Sequence, residues 1–366
     1  MTIDRRRFLG NAALLAGAGA LGTIAAAQPP VPGRGASGDL VTNEAQLLID
    51  RSLITLAALQ LPDGSFSDER SGTPNVAITG LAGLALMAGG HQPGRGRHGV
   101  VVSRAADYVV RRGAMNTATP GYLNNPDSAL SHGAMYQHGF GALFLAEVYG
   151  MQPNAEKQRQ LRAMLERSIG MTRNSQNADG GWRYEPRPVA IADISVTVAQ
   201  LMAMRAAKNA GIAVPKSVVD KCVNYIKACQ LSNGGFCYIK GQSSNGAAFA
   251  RTAAAVVGLY SAGIYEGKEV ESGLRYLTGF TPGRRINFSE ARPEHYYYGH
   301  YYAALAMWTA GGNRWAEWFP AIRDELLAKH RQDAGWKDWH GPAYAAAMAC
   351  IVLQLPNNYL PIMQPQ

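Results

Sequence analysis

Apolar residues recur at helical spacing along nearly the whole chain, and two kinds of helix alternate. In the first kind, apolar residues occupy one face, as at Leu48, Leu53 and Leu56, which predicts a helix on the surface. In the second kind, as over residues 76–87, alanine, glycine and leucine cover almost every position, which predicts a helix buried on all sides. The alternation returns five times and predicts six helical hairpins. It contains no β-hairpin signal and no sustained strand alternation.

A short phrase returns at four of the predicted hairpin junctions. Each copy starts with glutamine and runs into glycine and an aromatic residue, between an outer-type and an inner-type helix. A phrase that returns after about fifty residues indicates stacked copies of one supersecondary unit. Residues 115–122 and 280–288 stand in its place in the second and fifth units. The glutamine and aromatic positions are Gln60 and Phe66, Gln176 and Trp182, Gln230 and Phe236, and Gln332 and Trp336.

An array of helical hairpins can form an open solenoid or a closed ring. Helices that are apolar on every side favour the ring, because an outer layer then buries them. The repeat phrases, above all residues 175–184, resemble the glutamine–tryptophan repeats of squalene and other terpenoid cyclases and the related repeats of protein prenyltransferases. The resemblance covers residues 45–355. It implies an all-α fold, an α/α toroid of about six hairpins around an apolar cavity, in which the phrase residues mostly clamp adjacent outer helices together.

The N-terminus has the features of a targeting segment followed by a linker. Arg5 and Arg6 form a twin-arginine pattern, and an Ala/Leu/Gly run follows them. The run is short, rich in glycine and ends in three alanines, which is typical of an export signal with a cleavage site. We therefore predict a twin-arginine signal peptide over residues 1–27, with an uncleaved anchor as the alternative, and a periplasmic or other extracytoplasmic location. A linker is predicted over residues 28–44 and a C-terminal tail over residues 356–366.

Composition and charge fit a globular protein and narrow the classes of partner. Apolar residues make up 47% of the chain and charged residues 17%. The formal net charge is +9, and it is +7 without residues 1–27, which hold three arginines and one aspartate. The basic residues are spread thinly, which argues against nucleic-acid binding and leaves peripheral contact with an anionic membrane open. The four cysteines form no Cys-x-x-Cys pair, which predicts buried thiols without a bridge.

The best candidate for an acid is Asp193, at the start of the third predicted inner helix. Class II terpenoid cyclases, which the chain resembles, protonate an alkene or epoxide from an Asp-x-Asp-Asp-Thr segment at such a place. Asp193 and Thr197 match that segment, whereas Ser195 and Val196 stand where its two further aspartates would be. The standard acid motif is therefore absent. The serine at the middle position cannot supply the proton, because a hydroxyl group is too weak an acid to protonate an alkene. An aspartate before a helical run is also a strong N-cap signal, so Asp193 has a structural interpretation as well.

The zinc site of protein prenyltransferases has no counterpart in this sequence. That family holds zinc with an Asp-x-Cys pair after a Gly-Gly-Phe phrase, and the matching positions here are Asn245 and Ala247. Cys237 follows the phrase directly and is out of register. Without the zinc ligands, the means of lowering the thiol pKa of a peptide acceptor is lost. The sequence predicts no cofactor and assigns no metal site.

Tyrosines and histidines gather where the inner helices begin. In a toroid these helix starts and the loops before them open on one end of the cavity, so functional residues are expected there. An aromatic lining suits an apolar ligand, and tyrosine faces stabilise cations; packing between the repeats is the alternative interpretation. The cavity candidates are His132, Tyr136 and His138 at the second inner helix, His295, Tyr297, Tyr298, His300 and Tyr301 at the fifth, and His340 and Tyr344 at the sixth.

Three functions remain open from the sequence. The repeats and the tyrosine-rich helix start favour an exported protein that binds an apolar, isoprenoid-like ligand in the toroid cavity. The absence of the cyclase acid motif and of the zinc ligands favours a non-catalytic scaffold or binding protein of the cell envelope. Glu185, Asp193, Glu290 and Glu294 leave a carbohydrate-active enzyme open, which needs two carboxyls about 5–10 Å apart across a cleft. Whether the protein is an enzyme stays open at this stage.

Overall fold

Helices dominate the fold, as the spacing of apolar residues predicts. The computed structural model describes residues 40–128, 133–242, 246–282 and 295–364, all within one compact unit. Twelve α-helices lie in these ranges, so the predicted all-α class is confirmed; the predicted signal peptide lies outside them. The helices are α1 (Asn43–Ala58), α2 (Val76–Ala88), α3 (Gly99–Met115), α4 (Ala134–Tyr149), α5 (Ala155–Asn174), α6 (Ile194–Asn209), α7 (Lys216–Ala228), α8 (Phe249–Ser261), α9 (Lys268–Thr278), α10 (Tyr296–Ala310), α11 (Gly312–Gln332) and α12 (Pro342–Leu353).

The expectation that the chain holds no β-hairpin is wrong at the first junction. β1 (Phe66–Asp68) pairs antiparallel with β2 (Thr73–Asn75) in the loop between α1 and α2. With three residues each, the strands are too short to produce a visible alternation of apolar and polar positions. The hairpin brings Asp68 close to the start of α2, and the Asn75 side chain caps that helix.

Side-chain caps fix where several other helices begin. Thr42, Asn154 and Asp193 each accept a backbone N–H from the first turn of α1, α5 and α6, respectively. Each cap satisfies a donor that the helix itself leaves without a partner, and such caps contribute about 1 kcal/mol. The interpretation of Asp193 as an N-cap is therefore confirmed.

The helices form two concentric layers that close into a ring. The even-numbered helices are buried almost throughout, whereas the odd-numbered ones bury a single face. In α9, for example, Val270, Leu274 and Leu277 are buried between exposed polar residues. Each inner helix packs against the inner helices before and after it, and α12 packs against both α10 and α2. The predicted α/α toroid is therefore confirmed.

The glutamines of three repeat phrases join one hairpin to the next. The amide nitrogen of each donates one hydrogen bond to the glycine carbonyl of its own phrase and a second to a carbonyl in the first turn of the next outer helix. This bridge ties a loop to a neighbouring helix rather than filling an orphan group at its own helix end. The second bonds run from Gln60 to Val101 in α3, from Gln176 to Val218 in α7 and from Gln230 to Glu269 in α9, each at 2.9 Å.

The first glycine of each of these phrases lies directly against the backbone of the next outer helix. All three have positive φ angles, between +89° and +97°, in the region that favours glycine. Gly121 repeats the arrangement against Arg167 in the second unit, although the phrase itself is lost there. A Cβ atom would lie 2.4 Å from Arg104 O at Gly64, 2.2 Å from Lys221 O at Gly180 and 2.5 Å from Ser272 O at Gly234.

The sixth junction, where the ring closes onto α1, is built differently. Gln332 is exposed, and among the described residues it makes no bridge of the kind seen at the other phrases. Gly335 has a φ of +134°, and no described residue lies within 4 Å of its Cβ position. The buried Trp336 still holds the junction, because its Nε1 donates to Ser52 Oγ at 2.8 Å. A groove of about 680 Å³ remains between α1 and α11.

The C-terminal residues cover one end of the ring. Two short 3₁₀ turns, Leu355–Asn357 and Pro361–Met363, follow α12 and pack against the ends of the inner helices α10 and α6. Gln354 Nε2 donates to Ala85 O at 3.1 Å, and Trp308 Nε1 donates to Met363 O at 2.7 Å. The opposite end, where the inner helices begin, is called the mouth below.

The four cysteines are all buried and free, as predicted. Burial raises the pKa of Cys350 to about 12, so this thiol stays protonated at neutral pH and is a poor nucleophile.

Over the described parts of the chain, no helix combines the length and apolarity that crossing a bilayer requires.

We predict that Gly180→Ala destabilises the protein far more than Gly211→Ala. Both glycines have a positive φ, +97° and +80°, so both alanines carry the strain of that conformation, about 1–2 kcal/mol. Only at Gly180 would the added methyl group meet a backbone carbonyl, at 2.2 Å; Gly211 has nothing within 4 Å. The expected loss for Gly180→Ala is about 3 kcal/mol or more of unfolding free energy, measured by urea denaturation. Equal losses in the two variants would contradict the proposed backbone contact.

Candidate functional site

The register of the inner helices at the mouth is set by threonines in their first turn. In three hairpins the threonine hydroxyl accepts the backbone N–H of the phrase aromatic, so the helix is tied to its own junction. A residue two positions earlier lies about 200° away around the helix and faces the ring axis. The bonds join Phe66 to Thr79 at 2.9 Å, Trp182 to Thr197 at 3.0 Å and Phe236 to Thr252 at 3.0 Å.

In α6 the axis-facing position is Ser195, and tyrosines from other inner helices lie around this part of the mouth. Tyr136 of α4 and Tyr298 of α10 both bring their hydroxyls toward Ser195, and Tyr344 of α12 lies close to Tyr298. All three tyrosines are half-buried and keep part of their surface accessible. We call Tyr136, Ser195, Tyr298 and Tyr344 the tyrosine cup. Burial raises the pKa of each cup tyrosine well above its usual value, so the hydroxyls remain neutral donors.

Aromatic side chains occupy the ring axis beneath the cup. Phe140 and Tyr301 come from α4 and α10, which are not neighbours in the ring, yet their ring centroids lie 6.3 Å apart. Tyr302 packs against Tyr298 at 4.7 Å and against Tyr301 at 4.9 Å. We call Phe140, Tyr301 and Tyr302 the hub. At this level, therefore, described side chains meet across the axis where the sequence predicts an apolar cavity.

Asp193 lies at the edge of the cup, in a rigidly held position. Its backbone N–H donates to Trp182 O at 3.0 Å, and its Oδ1 accepts the N–H of Val196 at 2.9 Å. The carboxyl is close enough to Tyr136 and Tyr298 to affect the pKa of each hydroxyl. Its Oδ2 is buried and has no partner at ordinary hydrogen-bond geometry among the described residues, although the Tyr238 hydroxyl is close enough to the carboxyl to lower its pKa. One oxygen therefore serves as the helix cap.

The surroundings of Asp193 shift its titration toward neutral pH. Burial raises the pKa of Asp193 to about 6, and the Val196 N–H, the Arg183 charge, the Tyr238 hydroxyl and the Ser195 N–H reduce that rise. Arg183 lies over the ring of Tyr184, and the Tyr184 hydroxyl forms a short contact with that of Tyr238. The carboxyl thus keeps a fraction of its acid form close to neutral pH, as a general acid requires.

A histidine–aspartate pair lies at the same mouth, at the seam between the first and last hairpins. His340 Nδ1 is 3.1 Å from Asp68 Oδ2, and the rings of His340 and Tyr344 are 5.1 Å apart. Asp338 accepts the backbone N–H of His340, and burial raises the pKa of its half-buried carboxyl. The exposed His295 is near enough to lower the pKa of Asp338. The structure thus brings His295, His340 and Tyr344 to one side of the mouth.

His138 belongs to the wall of the toroid rather than to its mouth. Its Nδ1 accepts the Leu123 N–H at 3.2 Å, and its Nε2 is 2.8 Å from the Thr172 hydroxyl, which itself donates to Ser168 O. Both ring nitrogens are therefore used by the protein. Burial lowers the pKa of His138 to about 3, so the ring is neutral and has no free nitrogen for a ligand.

The remaining candidates lie away from the cup or outside the described residues. His300 faces the outer layer, where its ring packs on Phe249 at 5.0 Å and its Nε2 lies 4.0 Å from Glu325 Oε1. Tyr297 is buried edge-on against Trp336 at 6.4 Å. His132 falls outside the described residues, as does Asn245. Among the residues that are described, no group of three or more histidine, cysteine or acidic side chains is arranged to hold a metal ion.

Sequence reasoning missed Glu147, at the end of the ring opposite the mouth. Glu147 is buried within α4, and its Oε2 has no hydrogen-bond partner among the described residues. Burial raises the pKa of Glu147 to about 8, and the backbone N–H of Ile362 partly offsets that rise. A single acidic residue in an otherwise apolar helix is the signal that could have identified it. For Asp68, which was also missed, the sequence gives no such signal.

The comparisons with known proteins agree on the fold and diverge on activity. No protein-family model matches the chain. A drimenyl diphosphate synthase from Streptomyces showdoensis is 28% identical over 184 residues, which are 50% of this chain and 30% of that protein. The similarity therefore covers less than a third of that relative.

Three solved structures with the same architecture are of proteins named as sugar epimerases or a mannanase. The cellobiose 2-epimerase of Spirochaeta thermophila matches with a TM-score of 0.63 and 12% identity over 90% of this chain and 99% of its own. The cellobiose 2-epimerase of Bacillus thermoamylovorans matches at 0.56 and 10%, over 87% and 100%. A GH76 α-mannanase from Bacteroides thetaiotaomicron matches at 0.54 and 10%, over 88% and 98%. At such low identity these matches establish the toroid fold alone.

We predict that Glu147→Gln removes a component of the pH dependence of stability. The glutamate pKa is about 8 in the folded protein and 4.5 when unperturbed, so between these values the folded state keeps a proton that the unfolded state releases. Stability should therefore fall as pH rises from 4.5 to about 8 in the wild type, and this component should vanish in Glu147→Gln. Denaturant unfolding at several pH values measures it, with the exposed Glu166→Gln as the control. A wild-type slope retained in Glu147→Gln would contradict the assignment.

Proposed function

We propose that the protein binds an isoprenoid at the tyrosine cup and that Asp193 acts on the bound ligand as an acid. The observation that carries this proposal is the buried carboxyl of Asp193 beside the hydroxyl groups of Tyr136 and Tyr298. A carboxyl next to aromatic faces can both donate a proton and have the resulting cation stabilised. The sequence similarity to a drimenyl diphosphate synthase supports an isoprenoid as the ligand class.

The chemistry of this step follows from the groups at the cup. Transfer of the Asp193 proton to a carbon–carbon double bond forms a C–H bond, and it leaves a carbocation on the ligand and a carboxylate on Asp193. The raised pKa of Asp193 eases the transfer. The cup tyrosines offer their ring faces to the cation, and the hub beneath them keeps water away from it.

A carbohydrate ligand is the second candidate. The hub leaves a shallow site at the mouth, and the cup presents hydroxyl groups that suit a hydroxylated ligand better than a long alkyl chain. Asp193 and the carboxyls of Asp68 and Asp338 also stand around one mouth, as acid–base chemistry on a glycoside needs. A non-catalytic binding protein is the outcome if a ligand binds and is not converted.

The test is a binding and turnover series on the purified protein with farnesyl diphosphate, geranylgeranyl diphosphate and cellobiose as probes. We expect an isoprenoid to bind, and Ser195→Phe to weaken its binding at least about tenfold by filling the cup. Asp193→Asn should keep binding within about threefold and lose turnover by about 100-fold or more, since it keeps the cap and removes the proton. Calorimetry measures the first effect and product analysis the second.

The matched control for Ser195→Phe is Ser217→Phe, which places the same bulk on the exposed face of α7. It should leave binding unchanged. Binding of cellobiose in place of both isoprenoids would favour the carbohydrate candidate. An isoprenoid that binds equally well to Ser195→Phe would remove the cup as the site.

We also propose that the protein acts outside the cytoplasm after twin-arginine export. The basis is the Arg5 and Arg6 pair before Phe8 and an apolar run. Arg5→Lys with Arg6→Lys should retain the protein in the cytoplasm, whereas the neighbouring Arg7→Lys should leave export unchanged. Cell fractionation with an immunoblot measures the distribution. Export of the double variant at the wild-type level would exclude this route.

A further inference from the structure

We propose that His340, oriented by Asp68, is the base of the mouth site and accepts the proton that the cation loses. This inference rests on the proposed function, because it assigns the second half of the reaction that Asp193 begins. It adds a catalytic residue, His340, and a positioning residue, Asp68. The two come from the last and the first hairpin of the ring.

The hydrogen bond between the two residues fixes which nitrogen of His340 is free. A carboxylate only accepts hydrogen bonds, so His340 Nδ1, at 3.1 Å from Asp68 Oδ2, carries the hydrogen. The neutral ring then has its lone pair on Nε2, which hydrogen-bonds none of the described residues. Asp68 is 2% exposed, and its other oxygen accepts the Arg70 N–H at 3.0 Å, so the carboxylate is itself held in place.

The backbone around His340 is fixed as firmly as its side chain. Its carbonyl accepts the Glu69 N–H at 3.2 Å, and its N–H donates to Asp338 Oδ1 at 2.9 Å. Gly341 follows with a φ of +97°, and a Cβ there would meet the Glu69 side chain at 2.6 Å. The imidazole is thus positioned within the wall of the mouth and remains 31% exposed toward its opening.

Closure of the ring creates the pair. Asp68 and His340 are 272 positions apart in sequence and meet only because α12 packs against α2. The same closure brings Tyr344 beside His340, and Tyr298 of the cup is close enough to Tyr344 to raise its pKa. The proposed acid on α6 and the proposed base at the seam therefore belong to different walls of the mouth.

Proton balance makes the two residues complementary. Asp193 gives its proton to one alkene carbon of the ligand. His340 Nε2 then takes a proton from a carbon next to the resulting cation, and the electron pair of that C–H bond forms the new double bond. The product is an isomer of the substrate, with no oxidant or reductant consumed. The imidazolium returns its proton to solvent and Asp193 regains one, so both groups are restored.

The first test examines His340 without any ligand. We expect ¹⁵N NMR of histidine-labelled protein, with the His340 signals assigned through His340→Gln, to show hydrogen on Nδ1 and none on Nε2 at a pH where the ring is neutral. Asp68→Asn should change that pattern. Hydrogen on Nε2, or signals that Asp68→Asn leaves unchanged, would overturn the proposal. This result does not depend on the proposed function.

The second test examines turnover of the isoprenoid that binds. His340→Gln should lower the rate about 100-fold or more while changing the dissociation constant less than about threefold. The control His330→Gln lies on α11, at the outer groove rather than the mouth, and should leave both unchanged. Wild-type turnover in a folded His340→Gln variant would overturn the role of His340 and leave ligand binding at the cup intact.

The third measurement separates positioning from simple packing. If Asp68 orients the His340 imidazole, Asp68→Asn should lower turnover about tenfold or more while changing the dissociation constant of the isoprenoid less than about threefold, and Asp68→Glu should restore part of the rate. A loss of binding that matches the loss of rate, with no recovery in Asp68→Glu, would show that Asp68 only supports the fold and would overturn its assignment.

Discussion

The close approach of glycine backbones to the next outer helix is the constraint on which the ring depends. At Gly64, Gly180 and Gly234 a side chain would overlap a backbone carbonyl, and the phrase glutamine bridges the same two segments. Each hairpin is thereby set at a fixed distance and angle from the next. Repetition of one such step turns an array of hairpins into a ring. The seam, where Gln332 and Gly335 lack these contacts, is held by other side chains, among them Trp336.

The same junctions decide which residues face the mouth. The aromatic N–H binds a threonine in the first turn of the inner helix, so the rotation of that helix follows from its junction. On α6 this rotation turns Ser195 to the axis and leaves Asp193 at the edge of the cup. The hydrogen bonds that join each inner helix to its junction therefore also position the side chains of the candidate site. The hydrogen bond from the Val196 N–H that caps α6 also holds the Asp193 carboxyl, which we propose as the acid.

The hub separates this toroid from the simple picture of a hollow apolar ring. Phe140 and Tyr301 meet across the axis, and the C-terminal turns cover the far end. The candidate site residues therefore lie at the mouth. Proteins named as sugar epimerases and a mannanase share the fold at 10–12% identity, while a relative found by sequence is named as a drimenyl diphosphate synthase. A shared toroid thus does not select a substrate. We propose that the residues of the cup, together with Asp193, select it, through their polarity and shape and through the acid.

The sequence alone determined the helix order, the six hairpins, the junction phrases and the cap at Asp193, because these depend on periodicity and on contacts between near neighbours. It also directed attention to Tyr298 and Tyr344 at helix starts. Only the tertiary structure decided that both ring nitrogens of His138 form hydrogen bonds within the wall. It likewise decided that Phe140 and Tyr301 meet at the axis and that Asp68 contacts His340. These outcomes depend on the rotation and separation of helices far apart in the chain. Local patterns carry no information on either.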